Sequence, residues 1–194
     1  MPRKKVILAA SFGIVFAYCA VALLAPVIAP YDPHAITGAP LSPPDKDHLL
    51  GTNDLAQDVF SGLIWGTRAT LLLGFIGAAI AVAIGTAAGI VSGYYGGLID
   101  EAVMRLLDVA MTIPIFPLLL ILTTFFRPGI YLIAVLMGLL GSFQGVRVIR
   151  SQVLSLAVAD FVVGTRALGA GDGYIMARHI LPGVHPLAGV KFVT

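Results

Sequence analysis

Three long apolar runs, Val6–Ala29, Ala69–Val91 and Ala102–Phe126, constrain this chain more than any other feature. Roughly 20 apolar residues in a helix cross the hydrocarbon core of a bilayer, and each run is at least that long. A fourth run, Ile130–Phe143, is shorter and must extend toward Val146 to span. Charged residues make up only 11% of the chain and hydrophobic ones 58%, against about 25% charged in soluble proteins. The expected fold class is therefore all-α, a polytopic transmembrane helical bundle. Length bounds the number of helices rather than the size of a water-excluding core.

The net charge of +2 says less than its placement. Arg3, Lys4 and Lys5 precede the first run, and Arg147, Arg150, Arg166, Arg178 and Lys191 follow the start of the fourth. Between the first two runs only Lys46 and Arg68 stand among Asp32, Asp45, Asp47, Asp54 and Asp58. The positive-inside rule then places the N-terminus and the C-terminal basic residues in the cytoplasm and residues 30–68 outside. Membrane topology accounts for these basic residues, so nucleic-acid binding is not expected. MPRKK followed by an apolar run could be read as a signal peptide. The run exceeds the usual apolar segment of about 7–15 residues and ends in Pro26 and Pro30, which favours an uncleaved anchor over residues 1–29. The one cysteine, Cys19, lies inside that anchor and is read as packing.

Residues 30–68 form an extracytoplasmic loop. Prolines 30, 33, 40, 43 and 44 exclude a long helix before about Asn53. His34 and His48 lack a third ligand, so they read as solvated loop histidines and no metal or cofactor is expected. Asn53 or Asp54 is expected to cap a short amphipathic helix carrying Leu55, Val59, Phe60, Leu63 and Ile64 on one side.

The remaining residues, 69–194, form the membrane core. Small residues recur four apart at Gly77, Ala81, Gly85, Gly89 and Gly93, a row that lets a second helix approach closely. Gly141 and Gly145 repeat the pattern more weakly. The GYYGG turn, 93–97, ends that helix. Arg105 and Asp108 stand three apart on one face of the third run and are expected to pair, because unpaired charge at membrane depth is costly. Pro114 and Pro117 should bend or loosen the same helix, either lining a cavity or as a passive bend.

One polar island interrupts the oil: Asp160–Pro182, DFVVGTRALGAGDGYIMARHILP. It reads as two short helices, the first capped by Asp160 and ended by Gly169, the second capped by Asp172 and stopped by Pro182. Phe161, Val162, Leu168, Tyr174, Ile175 and Ile180 give them an apolar side, while Arg166, Arg178 and His179 keep the island out of the bilayer.

RALGA followed by ARHILP resembles the cytoplasmic coupling loop of ABC-importer permeases, in which a short helix plugs into an ATPase subunit. HLLGTNDLAQDVFSGLIWGTR (48–68) resembles the LGTD-x-x-GRD-x-x-SR-x-x-x-G-x-R segment of peptide-type permeases. GYYGGLIDEAVMRLLDV (93–109) is similar to GY-x-GG-x-x-D-x-x-x-MR-x-x-D, and RVIRSQVLSL (147–156) to R-x-x-R-x-x-x-L-x-L. The chain thus resembles the second permease subunit of dipeptide, oligopeptide or nickel importers. The resemblance implies a multi-pass protein of the prokaryotic inner membrane with a coupling loop over 147–182. It also implies four partners: a homologous permease, two cytoplasmic ATP-binding subunits and an extracytoplasmic solute-binding protein. ATP hydrolysis falls to those partners, so this chain is not expected to be an enzyme. The implied docking residues are Arg166, Ala167, Leu168, Gly169, Ala170, Asp172, Arg178, His179, Leu181 and Pro182, with Arg166 as a polar anchor and Leu168 and Ala170 filling the socket.

Departures are specific. Val163-Gly164-Thr165 stands in place of the family's E-A-A triplet, and Asn53, Ala56, Gln57 and Gly62 replace Asp, Gly, Arg and Arg in the loop motif. Ser142 stands where the family tends to have Trp. Permeases of this type carry two further spans after the coupling loop, and PLAGVKFVT (186–194) looks like the start of a fifth, so the chain is expected to be C-terminally incomplete. These features keep a second reading open, a non-transporting assembly or regulatory subunit that retains the docking loop. An intramembrane hydrolase would need paired Asp, Ser/His or H-E-x-x-H groups, and a channel would need a filter ring; neither pattern is present.

Overall fold

The computed structural model describes residues 2–126 and 128–184. Helix α1 spans Pro2–Ile28, α2 Val59–Tyr95, α3 Gly97–Met111, α4 Ile115–Phe126, α5 Ile130–Ala157, α6 Asp160–Ala167 and α7 Asp172–Ile175. A π-helical turn, Met176–Ile180, follows α7 directly. Among the described residues three helices are long and apolar enough to cross a membrane, or four if α3 and α4 together make one span. The fold is all-α and polytopic. The expected start of a fifth span lies outside the described residues.

The chain divides into two compact units after Leu72. In the first, residues 29–58 are folded onto themselves by side chains that mimic backbone partners. Asp45 Oδ1 accepts the N–H groups of Asp47 (2.9 Å) and His48 (2.5 Å), and Asn53 Oδ1 accepts those of Leu55 and Gln57, both at 2.9 Å. These Asx turns are a favoured use of Asp and Asn where no helix or sheet supplies acceptors. The short amphipathic helix expected after Asn53 is absent. Asn53 is consumed by its turn, and Ala56 takes a left-handed φ of 60°. The true N-cap is Asp58, whose Oδ2 accepts the Ser61 N–H at 2.7 Å, and α2 then runs unbroken for 37 residues. At 1.5 Å per residue that is about 55 Å, longer than the hydrocarbon core.

His48 is buried rather than solvated, which corrects the reading of it as an exposed loop histidine. Its Nδ1 lies 3.0 Å from Asp58 Oδ1, its ring centroid 5.2 Å from that of Tyr31, and its Nε2 edge 3.0 Å from where a Cβ on Gly38 would sit. The Asp58 hydrogen bond, working against desolvation, raises the His48 pKa above its usual 6.5. Burial alone would raise the Asp58 carboxyl, but hydrogen bonds from Ser61 and His48 outweigh it and hold the group below its usual 3.8. The raised histidine stabilises the loop fully below about pH 6.5, and that contribution fades as pH rises through its folded-state value. The lowered aspartate stabilises above about pH 4, and its contribution fades as pH falls further. Loop amide protection, corrected for intrinsic exchange, is therefore expected to peak in mildly acidic buffer and to weaken toward about pH 8. His48→Gln should flatten that profile; an identical slope in the variant would contradict the assignment.

In the second unit, the α3–α4 pair bends by 68° at Thr112-Ile113-Pro114. Pro114 has no N–H and pushes Ile113 away from the α region, so the single span expected over Ala102–Phe126 is broken there. Thr112 closes α3 by donating its hydroxyl to the Val109 carbonyl at 2.7 Å. A cavity of about 230 Å³ opens at the break, lined by Met111, Ile113 and Ile115 on one side and Leu140, Phe143 and Gln144 of α5 on the other.

Candidate functional site

Two features converge at one end of the second unit: a seam between α2 and α5, and the island of α6, α7 and the π turn. The seam is built from missing side chains. A Cβ on Gly77 would lie 3.5 Å from the Ala134 carbonyl oxygen, and one on Gly85 3.4 Å from the Gly145 backbone. On Gly89 it would lie 2.8 Å from Ile149 Cβ and 2.9 Å from the Val146 oxygen, and on Gly93 2.8 Å from Val153 Cβ. From α5, a Cβ on Gly138 would sit 2.7 Å from the Gly77 oxygen, and one on Gly141 3.8 Å from Ala81 Cβ. Lipid offers helices no hydrophobic drive to associate, so backbone contact of this closeness supplies dispersion that larger side chains would prevent.

Charged groups tie α3 to α5. Arg150 grips Asp100 with Nε and Nη2 on both carboxylate oxygens, and Arg147 pairs with Asp108. The expected Arg105–Asp108 pair does not form. Arg105 faces Glu101 one turn back at 3.8 Å, and Asp108 takes Arg147 from the neighbouring helix. A partner on a packed helix can approach end-on, whereas neighbours three apart on one helix must bend their side chains along its surface. Asp100 and Arg150 sit in motifs legible in the sequence, but their pairing required knowing that α3 and α5 touch.

The island rests on an apolar base. Val162, Ile175, Ile180 and Val184 are fully buried against Ile90 and Tyr94 of α2 and Ile149 and Val153 of α5, with Ala170 packed beside them. Neither island helix is capped as expected. Ala159 and Gly171 occupy the N-cap positions in extended conformation, making Asp160 and Asp172 the first helical residues. The end of α6 is a Schellman turn, with the Gly169 N–H on the Arg166 carbonyl (2.9 Å), the Ala170 N–H on the Thr165 carbonyl (3.3 Å), and Gly169 at φ 86°. Pro182 does not stop the second helix, which continues over 181–184. The Leu181 N–H reaches back to Met176 in the π turn, and this widening accommodates a ring that would clash with an α-helical carbonyl.

The apolar residues of the island divide between two sides. Val162, Ile175 and Ile180 face the base, while Phe161, Leu168 and Tyr174 are exposed, Leu168 to 90% at the turn itself. His179 bridges the outer aromatics, 6.1 Å from the Phe161 ring and 5.8 Å from the Tyr174 ring. Ala167, Arg178, Leu181 and Pro182 are exposed as well. Arg166, expected as a polar anchor, is exposed and sets its guanidinium carbon 5.3 Å from the Tyr94 ring centroid. Asp172 accepts the Tyr94 hydroxyl at 2.7 Å. Tyr94 went unnoticed in the sequence because it sits in GYYGG, where its glycine neighbours account for the turn.

Helices, seam and island define an all-α, multi-pass, membrane-embedded protein. Residues 85–193 match the family described as binding-protein-dependent transport system inner membrane component. The chain is 33% identical over 169 residues to the dipeptide transport system permease protein DppC of Haemophilus influenzae, covering 84% of this chain and 57% of that one. It is 33% identical over 140 residues to the oligopeptide transport system permease protein OppC of Bacillus subtilis, covering 72% and 46%. It is 32% identical over 140 residues to the glutathione transport system permease protein GsiD of Pectobacterium atrosepticum, covering 72% and 46%. The chain therefore belongs to the family of binding-protein-dependent transport inner membrane components, a transport family rather than a catalytic one. It spans about half the length of the curated relatives it matches.

Proposed function

We propose that this chain is a transmembrane permease subunit of an ATP-driven ABC importer for peptides or similar small solutes. It works with a homologous permease, two cytoplasmic ATP-binding subunits and an extracytoplasmic solute-binding protein. One observation carries the reading: a helix-turn-helix island fixed on the α2–α5 seam and presenting an exposed Leu168 at its turn. Exposed apolar residues on short, firmly based helices are what a protein socket buries. Membership of the family and the peptide-transport names of the relatives support the solute class.

The docking surface centres on Leu168 and Ala167, flanked by Phe161, Tyr174, Arg178, His179 and Leu181, with Gly169 and Ala170 shaping the turn. Closure of the ATP-binding subunits pushes this surface, and α2 and α5, locked by their glycine seam, carry the motion as one body. Alternating access follows from two packed arrangements of rigid helices. No step needs a catalytic residue here. The cavity at the α3–α4 break, with the Gln144 amide in an apolar lining, forms part of the pathway wall. Charge placement sets the topology, with Met1 and the island cytoplasmic and residues 30–68 outside.

Two measurements test this reading. A cysteine at Asp172 should resist a membrane-impermeant reagent in intact cells and react in inverted vesicles. Vesicles holding the chain with its partner subunits should take up dipeptides only with ATP and the solute-binding protein present. Labelling of Asp172→Cys from outside, or a co-purified complex that hydrolyses ATP without uptake, contradicts the proposal; the latter outcome favours a regulatory subunit.

A further inference from the structure

The apolar base of the island gives adhesion but little register, because hydrophobic contact is non-directional. Helices as short as α6 and α7 are also marginal without tertiary support. Yet a push on the Leu168 turn must arrive at the membrane helices without being lost as sliding. Tyr94 meets both island helices where they flank that turn. Its ring lies under the guanidinium of Arg166 in the last turn of α6, and its hydroxyl donates to Asp172 at the first residue of α7. The three side chains close a polar clamp around the base of the turn.

The clamp joins the membrane helices at a node. Tyr94 follows Gly93, which lies against Val153 and the Arg150 carbonyl of α5, and Arg150 grips Asp100 of α3. One residue beyond Tyr95, Gly96 and Gly97 take φ of 62° and 52° and turn the chain into α3. Displacement of the clamp therefore reaches α2, α5 and α3 through directional contacts. We infer that Tyr94 is a positioning residue for energy coupling: through Arg166 and Asp172 it holds the two island helices in fixed register on α2, so that motion of the docked turn is transmitted rather than absorbed.

This inference rests on the permease reading above, and the experiment separates the two. Tyr94→Phe keeps the ring under Arg166 and deletes only the hydroxyl. Asp172→Ala removes the acceptor, while Asp172→Asn retains an acceptor oxygen and serves as the conservative rescue. In detergent, without partners, amides 172–176 should exchange about tenfold faster in Tyr94→Phe and Asp172→Ala than in the parent or Asp172→Asn. In the full complex Tyr94→Phe, which leaves every docking residue in place, should retain the ATP-binding subunits as the parent does, yet hydrolyse severalfold more ATP per solute carried. The double variant should be no worse than the worse single one, since both break one hydrogen bond. Unchanged exchange, additive losses, or faster exchange with an unaltered ratio of hydrolysis to transport would overturn the positioning role. A parent chain that retains no ATP-binding subunit would overturn the permease reading itself and this role with it, a result distinct from failure of the clamp in the exchange measurement.

Discussion

Gly89→Leu is expected to force α2 and α5 apart and to cost the folded chain about 3 kcal/mol, the upper end for overpacking. The reason is local. Even the first carbon of a side chain at position 89 would lie 2.8 Å from Ile149 Cβ and 2.9 Å from the Val146 carbonyl oxygen. Ile149 is β-branched with its χ1 restricted, and the carbonyl belongs to a helix ladder, so neither can yield without moving α5. Position 74 provides the control, because a Cβ there meets nothing within 4 Å. Gly74→Leu should leave the apparent melting temperature in detergent near that of the parent, while Gly89→Leu lowers it markedly and reduces the yield of monodisperse protein. Gly77→Ala should fall close to the control, since its Cβ would find ordinary contact distances of 3.5 Å and beyond. Equal behaviour of the 74 and 89 variants would mean that the seam does not hold the helices together.

The second large effect concerns the Arg150–Asp100 fork. Arg150→Leu leaves the Asp100 carboxylate, whose side chain is only 15% exposed, without its counter-ion. Breaking one side of a buried pair costs about 3–5 kcal/mol, and residual exposure of Arg150 places this case near the lower figure. Asp100→Asn on the Arg150→Leu background should recover much of the loss by removing the orphaned charge, which separates ion pairing from simple loss of side-chain volume. Thermal stability of the four proteins in one detergent gives the cycle. Additive losses in the double variant would show that the two groups do not depend on each other.

Where the helices span was legible from hydropathy, because a bilayer imposes a length that few residue patterns can imitate. Where α2 begins was not. Leu55, Val59, Phe60, Leu63 and Ile64 have helical spacing from Asn53 onward, but the side chain of Asn53 is taken by the N–H groups of Leu55 and Gln57, and Asp58 captures the Ser61 N–H instead. Asn and Asp compete for either role, and local sequence does not say which turn wins. The break in the third span was written in Pro114 and Pro117; the 68° angle was not. The Arg105–Asp108 expectation failed because adjacency along a helix is visible in sequence and adjacency between helices is not.

The island shows the same division. Its two helices and the glycine between them could be read from Gly169 and the apolar spacing. The partition of Phe161, Leu168 and Tyr174 outward from Val162, Ile175 and Ile180 inward could not, because it depends on what α2 and α5 place beneath. The hydroxyl that engages Asp172 comes from a residue 78 positions earlier, on a helix the island touches only once the chain is folded.

Leu168 is therefore the position at which the docking reading meets its most direct measurement. A photo-crosslinking residue at position 168, in a complex purified from membranes, should yield one covalent adduct with the ATP-binding subunit. The same group at Leu98, 85% exposed on α3 and remote in sequence from the island, provides the comparison. Crosslinking at 168 and not at 98, abolished when the ATP-binding subunit is omitted, is the expected result. An assembled complex in which position 168 gives no adduct with that subunit would contradict the assignment of the island as its docking element.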